Sequence, residues 1–218
     1  MKIRALIVML FYIGMVSGVS GATTLENFEA QSLGSNYSGE KASFSTDTTG
    51  YIRDGSVAAE QSSDDTDTKA IYYSSSDTLG SNFKGNVSIW YEETSSNNNL
   101  GVGMFSSDGS GGYACGTANS DIYLFKWNSM TSYSTGTTQT DWSSDSTDGN
   151  EYQLVLQKDG SDYTCYVKDS NGDVLQTTSR SDSDYSVETH GIGSAYTDIE
   201  MDLIEKEINN NPPSIDSN

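Results

Sequence analysis

Short runs of alternating apolar and polar residues, punctuated by turn-forming pairs, make up most of the chain. The clearest lies over residues 151–179. Tyr152, Leu154 and Leu156 alternate with polar residues as far as Asp159-Gly160, and Tyr163, Cys165 and Val167 alternate as far as Asn171-Gly172. A period of two puts each set on one face of a strand. Asp-Gly and Asn-Gly supply the positive-φ positions of tight hairpin turns. The stretch reads as a three-stranded meander with one apolar face, which needs a second sheet to cover it.

The same reading runs along the rest of the chain. Residues 23–28, 42–44, 51–53, 57–61, 70–73 and 83–91 are further strand candidates; Val87 and Ile89 share one parity and Trp90 takes the other. Residues 100–106, 113–117 and 122–127 form a second meander, in which Gly101, Gly103 and Gly116 point to close backbone approach or bulges. Residues 191–194 and 198–204 close the domain, while 31–40 and 180–189 read as polar turns and loops. Residues 128–150 form the longest stretch with no strand pattern, and long irregular loops in compact domains are often functional. No helical period is sustained anywhere. The expectation is an all-β, two-sheet antiparallel sandwich over residues 23–204, followed by a disordered tail or linker over 205–218 that ends NNNPPSIDSN. That ending also fits a piece of a longer surface protein.

The first 22 residues stand apart. Lys2 and Arg4 precede a nearly all-apolar run, and small residues follow up to Ala22, as in a cleaved secretory signal. Export is therefore expected, to the medium or the cell surface, with no membrane insertion after cleavage. Charge narrows the partners: 11 Lys and Arg face 31 Asp and Glu, giving a net charge of −20. Phosphate backbones are repelled, which excludes nucleic acid, and anionic membrane surfaces are disfavoured. Acids scattered through Ser, Thr, Gly and Asn suit a solvated, halophilic surface. The two cysteines, Cys115 and Cys165, are expected to pair in an oxidising compartment.

Several short motifs together resemble a known family. They are Phe28-Glu29, Tyr37-Ser38-Gly39, Asp54-Gly55-Ser56, and the ending Gly191-Ile192-Gly193 with Tyr196 and Asp198. The chain looks like a concanavalin A-like or laminin G-like jelly-roll domain of exported prokaryotic, archaeal-type surface proteins. The resemblance implies two curved antiparallel sheets with rim loops used for sugar or protein binding. It also implies that some members hold a calcium ion at the rim, so no cofactor is required here and calcium stays open. The expected role is a non-catalytic binding or adhesion module, with a glycan or another cell-surface component as partner.

Candidate chemistry is sparse. Trp127, Tyr133 and Trp142 bracket the long irregular stretch and offer flat rings for stacking on sugars, against a plainer role in packing. Glu200, Asp202 and Glu205 have the E-x-D-x-x-E spacing that resembles laminarinase-type retaining glycoside hydrolases. In a plain strand Glu205 falls on the opposite face, and only a bulge brings it round. A purely structural envelope module is the third reading. Asp169–Asp173 has the oxygen spacing of a calcium loop but suits a hairpin turn, and Asp64, Asp65, Asp67, Asp182 and Asp184 suit solvated loops. The single histidine, His190, excludes a histidine-rich zinc site. Asn36 and Asn86 begin glycosylation triplets.

Overall fold

The computed structural model describes residues 21–29, 37–39, 44–48, 52–56, 58–61, 69–74, 77–93, 99–118, 121–129, 132–141, 150–195 and 199–209. Residues 1–20 of the expected signal segment lie outside them. In chain order the strands are β1 (Thr23–Glu26), β2 (Tyr37–Gly39), β3 (Phe44–Asp47), β4 (Ala58–Gln61), β5 (Lys69–Ser74), β6 (Gly85–Glu93), β7 (Asn99–Phe105) and β8 (Gly112–Ala118). They continue as β9 (Asp121–Ser129), β10 (Ser132–Asp141), β11 (Asn150–Asp159), β12 (Asp162–Asp169), β13 (Val174–Ser181), β14 (Thr189–Ala195) and β15 (Ile199–Ile208). No helix occurs among the described residues.

Two antiparallel sheets form. The first runs β13-β12-β11-β6-β15-β4-β3, with β1 also paired to β15; the second runs β10-β9-β8-β7-β14-β5-β2. The expected meander is β11–β12–β13. Its turns use Gly160 at φ 64 and Gly172 at φ 88, a region open to residues without a Cβ. In the second turn Asp169 accepts backbone N–H bonds from Asn171 and Asp173, each at 2.9 Å, so the acid serves the hairpin.

The core forms where inward parities meet. Tyr152, Leu154 and Leu156 of β11 stand opposite Tyr91, Ile89 and Val87 of β6, and Leu154 and Leu156 also face Val167 and Cys165 of β12. All of these except Tyr152, at 7 %, are completely enclosed. Val102, Met104, Tyr113, Cys115, Ile122, Leu124 and Ile192 meet them from the second sheet. Cys115 and Cys165 are bonded, with Cα atoms 4.9 Å apart, and tie β8 to β12 across the core.

Four readings differ from the structure. Ser132–Asp141 is an edge strand rather than a loop, paired to β9 with an irregularity in register. Its Ser and Thr side chains suit an edge but carry no apolar alternation. Tyr37–Gly39 is likewise a strand within a stretch read as a turn. Ile52 and Arg53, read as part of a strand, instead lead into the turn at Asp54-Gly55-Ser56. The last strand runs on to Ile208, beyond the expected boundary at 204; Ile208 stands opposite Gly85 of β6, as does Lys158 of β11.

Candidate functional site

At one end of the sandwich three distant segments enclose a polar cleft of about 310 Å³. The end of β11 contributes Lys158, the β11–β12 turn Ser161, the approach to β6 Asn82, and the β13–β14 connection Asp182 and Tyr185. Asn82 sits at φ 65, a region that asparagine tolerates better than most residues. The Asp182 N–H donates to the Ser161 carbonyl at 2.9 Å, and the Lys158 ammonium donates to the Phe83 carbonyl at 3.2 Å. These bonds sew the three segments together.

Tyrosines floor the cleft. Tyr163 is buried and stacks on Tyr113, from the opposite sheet, at 4.1 Å between ring centres. Tyr185 meets Tyr113 edge-on at 5.9 Å and is only partly buried. Asp182 is the keystone. Its carboxylate accepts bonds from the Tyr113 hydroxyl, the Lys126 ammonium at 2.8 Å and the Asp184 N–H at 3.0 Å, and it pairs with Arg180 at 3.0 Å. Burial pushes its pKa up, but Lys126, Tyr113 and the Asp184 N–H outweigh burial and hold it well below the usual carboxylate range. Lys126 also bridges to Asp184, so an ammonium stands between the two loop acids considered for calcium. Among the described residues no three His, Cys, Asp or Glu side chains converge on a metal position; residues 62–68, with Asp64, Asp65 and Asp67, lie outside them.

Lys158 is placed differently from the other cations of the cleft. Burial pushes its pKa down, nearby Lys84 pushes the same way, and Asp159 opposes them. Lys84 is ion-paired with Asp159 at 2.9 Å, whereas Lys158 forms no ion pair among the described residues.

The acidic spacing on β15 lies on the outer face of the first sheet. Leu203 adopts φ 54, and the register shifts between Asp202 and Ile204. This is the bulge needed to bring Glu205 round to the face of Asp202, and Ile204 then fills the core. Asp202 is fully enclosed, and its carboxylate accepts N–H bonds from Arg53, Asp54 and Leu203 at 2.7–2.8 Å. Burial pushes the pKa of Asp202 and of Glu205 up; the Trp90 indole N–H bonded to Glu205 opposes the latter shift. The Arg53 guanidinium covers the Trp90 ring at 4.0 Å and pairs with Glu151. The side chain of Glu200 lies outside the description.

Of the three aromatic candidates, Trp127 is the one whose surroundings are defined. Trp127 is 5 % exposed and packs on Phe105 at 5.1 Å, within a cluster that includes Ala114 and Phe125 on the outer face of the second sheet. A Cβ on Gly193 would lie 2.3 Å from its ring, so glycine there makes room for the indole. Tyr133 pairs with Trp127 in the β9–β10 register, its side chain undescribed, and Trp142 lies outside the described residues. Asn36 is also outside them; Asn86 sits within central strand β6, its Nδ2 donating to Glu207 at 3.2 Å.

His190 faces the core in a closed network. Its Nε2 is 2.9 Å from the Tyr37 hydroxyl and its Nδ1 is 2.8 Å from the Thr78 hydroxyl. Burial lowers its pKa to about 4, with the Lys206 ammonium adding to the shift.

Sequence reasoning missed Lys158 and Tyr185. The available signal was the scarcity of cations, which makes a lysine beside a turn glycine conspicuous, and a tyrosine within the polar connection 182–187.

No family model matches the chain, and no curated protein matches it. Solved structures do. A carbohydrate binding module, CBM66 from Bacillus subtilis, superposes with a TM-score of 0.57 at 15% identity, over 79% of this chain and 95% of that one. Winged bean acidic lectin, solved with methyl-alpha-D-galactose, gives 0.54 at 11% identity, over 87% of this chain and 99% of that one. At such identities the likeness is one of architecture: the chain is an all-β, two-sheet antiparallel jelly-roll sandwich of the kind seen in both.

Proposed function

We propose that the chain is an exported, non-catalytic glycan-binding module of concanavalin A-like or laminin G-like type, acting in the medium or at the cell surface. The observation that carries this reading is the tyrosine-floored polar cleft. A sugar needs a flat apolar surface for its C–H face and hydrogen-bonding groups for its hydroxyls. Tyr185 offers the first; the Asn82 amide and the Ser161 hydroxyl offer the second. The architecture shared with a carbohydrate binding module and a lectin supports the reading. Tyr133 and Trp142 are proposed as accessory contacts.

The test is retention on a glycan array. Binding lost in Tyr185→Ala but kept in Tyr185→Phe places the sugar in the cleft. Binding lost only in Trp142→Ala moves it from the cleft to Trp142, and no retention on any glycan overturns the reading. Retention unchanged by chelator is the expected outcome, because the Lys126 ammonium already stands between Asp182 and Asp184; loss of retention would place a calcium ion at the rim.

A second reading, a laminarinase-type hydrolase using Glu200, Asp202 and Glu205, draws support from the Leu203 bulge. Against it, Asp202 is occupied by three backbone N–H groups, and Arg53 lies where a sugar would stack on Trp90. Reducing ends released from β-glucans and abolished by Glu200→Gln would establish it.

A further inference from the structure

We infer that the ligand of the cleft carries a carboxylate, as in a uronic-acid-containing glycan, and that the Lys158 ammonium is its partner. The inference rests on the cleft being the glycan site, and it starts from charge. Only 11 Lys and Arg serve a chain of net charge −20, yet Lys84, Lys126, Lys158 and Arg180 gather at this end of the sandwich. Three of them are neutralised in place: Lys84 by Asp159, Lys126 by Asp182 and Asp184, and Arg180 by Asp182. Among the described residues Lys158 alone of the four has no carboxylate within ion-pair distance; Asp159 acts on it only at longer range, being paired with Lys84. Lys158 has one carbonyl bond and the Tyr163 ring at 5.9 Å.

A partly buried cation without a counter-ion is unfavourable, the more so beside a second lysine. With acids in nearly threefold excess over cations, a neutral side chain or a neighbouring Asp or Glu would remove that penalty. Lys158 instead lines an open cleft, where an incoming anion meets it in a medium less screened than bulk water. Asp182 also lines the cleft, but its carboxylate is held by Lys126 and Arg180, while Asn82, Ser161 and Tyr185 are neutral and suit hydroxyls and a ring face. One point charge without an ion pair, beside an Asp182 already paired, matches one acidic group on a sugar, rather than a polyphosphate. About 310 Å³ lies at the small end of ligand clefts and suits a short sugar segment.

The experiment titrates the intact protein with polygalacturonate, alginate and hyaluronate, with methyl-esterified polygalacturonate, and with dextran sulfate. At least one uronate is expected to bind. Masking or removing the carboxylate–ammonium pair, by esterification of that uronate or by Lys158→Gln, should weaken binding by at least about tenfold, the loss of one charge-assisted hydrogen bond. Lys158→Arg should retain it. The ester arm uses the unaltered protein, so a folding defect in the variant cannot imitate the result. Equal binding of acid and ester, or of Lys158→Gln and the parent, overturns the inference, as does binding of dextran sulfate alone. Neutral glycans retained on the array while every uronate fails would overturn the carboxylate and leave the glycan site standing; silence from all of them overturns both.

Discussion

Acidification should weaken this fold through its one histidine. His190 is enclosed between the Tyr37 and Thr78 hydroxyls, and burial lowers its pKa from 6.5 to about 4. The network is satisfied with the ring proton on Nε2. The His190 N–H donates to Thr78 Oγ1 at 3.2 Å, and Thr189 spends its proton on the Ser74 carbonyl at 2.8 Å. Thr78 is then free to donate to Nδ1, which leaves the Nε2 proton for Tyr37. A depressed histidine pKa means that the unfolded chain binds the proton first. Its contribution is fully present above pH 6.5 and is lost as pH falls towards 4. Between pH 7 and pH 4.5 the loss is about 2–3 kcal/mol. The raised pKa values of Asp202 and Glu205 act in the opposite direction, and the depressed Asp182 matters only at lower pH. The comparison must therefore be with His190→Gln, which lacks the titrating group. Denaturant unfolding at the two pH values should show the parent losing about 2–3 kcal/mol more than the variant. With one histidine in the chain, its ring proton resonance gives an unambiguous NMR titration. A midpoint near 6.5, or equal pH dependence in parent and variant, would refute the argument.

Two further outcomes concern the scaffold. Reducing Cys115–Cys165 frees a loop with a sequence separation of 50, which in the chain-entropy model costs about 4 kcal/mol. Denaturation with and without reductant reads this directly, and a shift below about 1 kcal/mol would mean that the reduced chain stays constrained by other contacts. Gly193→Ala drives a methyl group into the Trp127 ring and should cost about 1–3 kcal/mol, with a change in tryptophan near-UV dichroism. Unchanged stability and spectrum would place the indole elsewhere.

The sequence exposed those parts of the fold that depend on local alternation. β11 and β12 announce themselves through Tyr152, Leu154, Leu156, Tyr163, Cys165 and Val167, because one face of each strand meets the core and the other meets water. β10 carries Ser and Thr on an edge, so no contrast between its faces reached the sequence. The bulge on β15 left a trace: Leu203 and Ile204 are adjacent apolar residues where alternation demands a polar one, and Leu203 is the extra residue. The cleft left almost none. Lys158 and Tyr163 lie on strands whose period marks the core rather than the cleft, the other residues come from connections without period, and they meet through the fold, as when Asp182 bonds to Ser161.

The register at the end of β15 has a mechanical consequence. Lys158 and Ile208 stand on either side of Gly85, and Thr23 of β1 stands opposite Lys206. The first strand begins and the last one finishes beside the cleft. Tension between a captured ligand and a tether at Asn209 would cross only the rungs joining β11, β6 and β15 at that end. The disulfide-bonded interior would sit outside the line of force, so such a module would hold or release its load without its core being stretched.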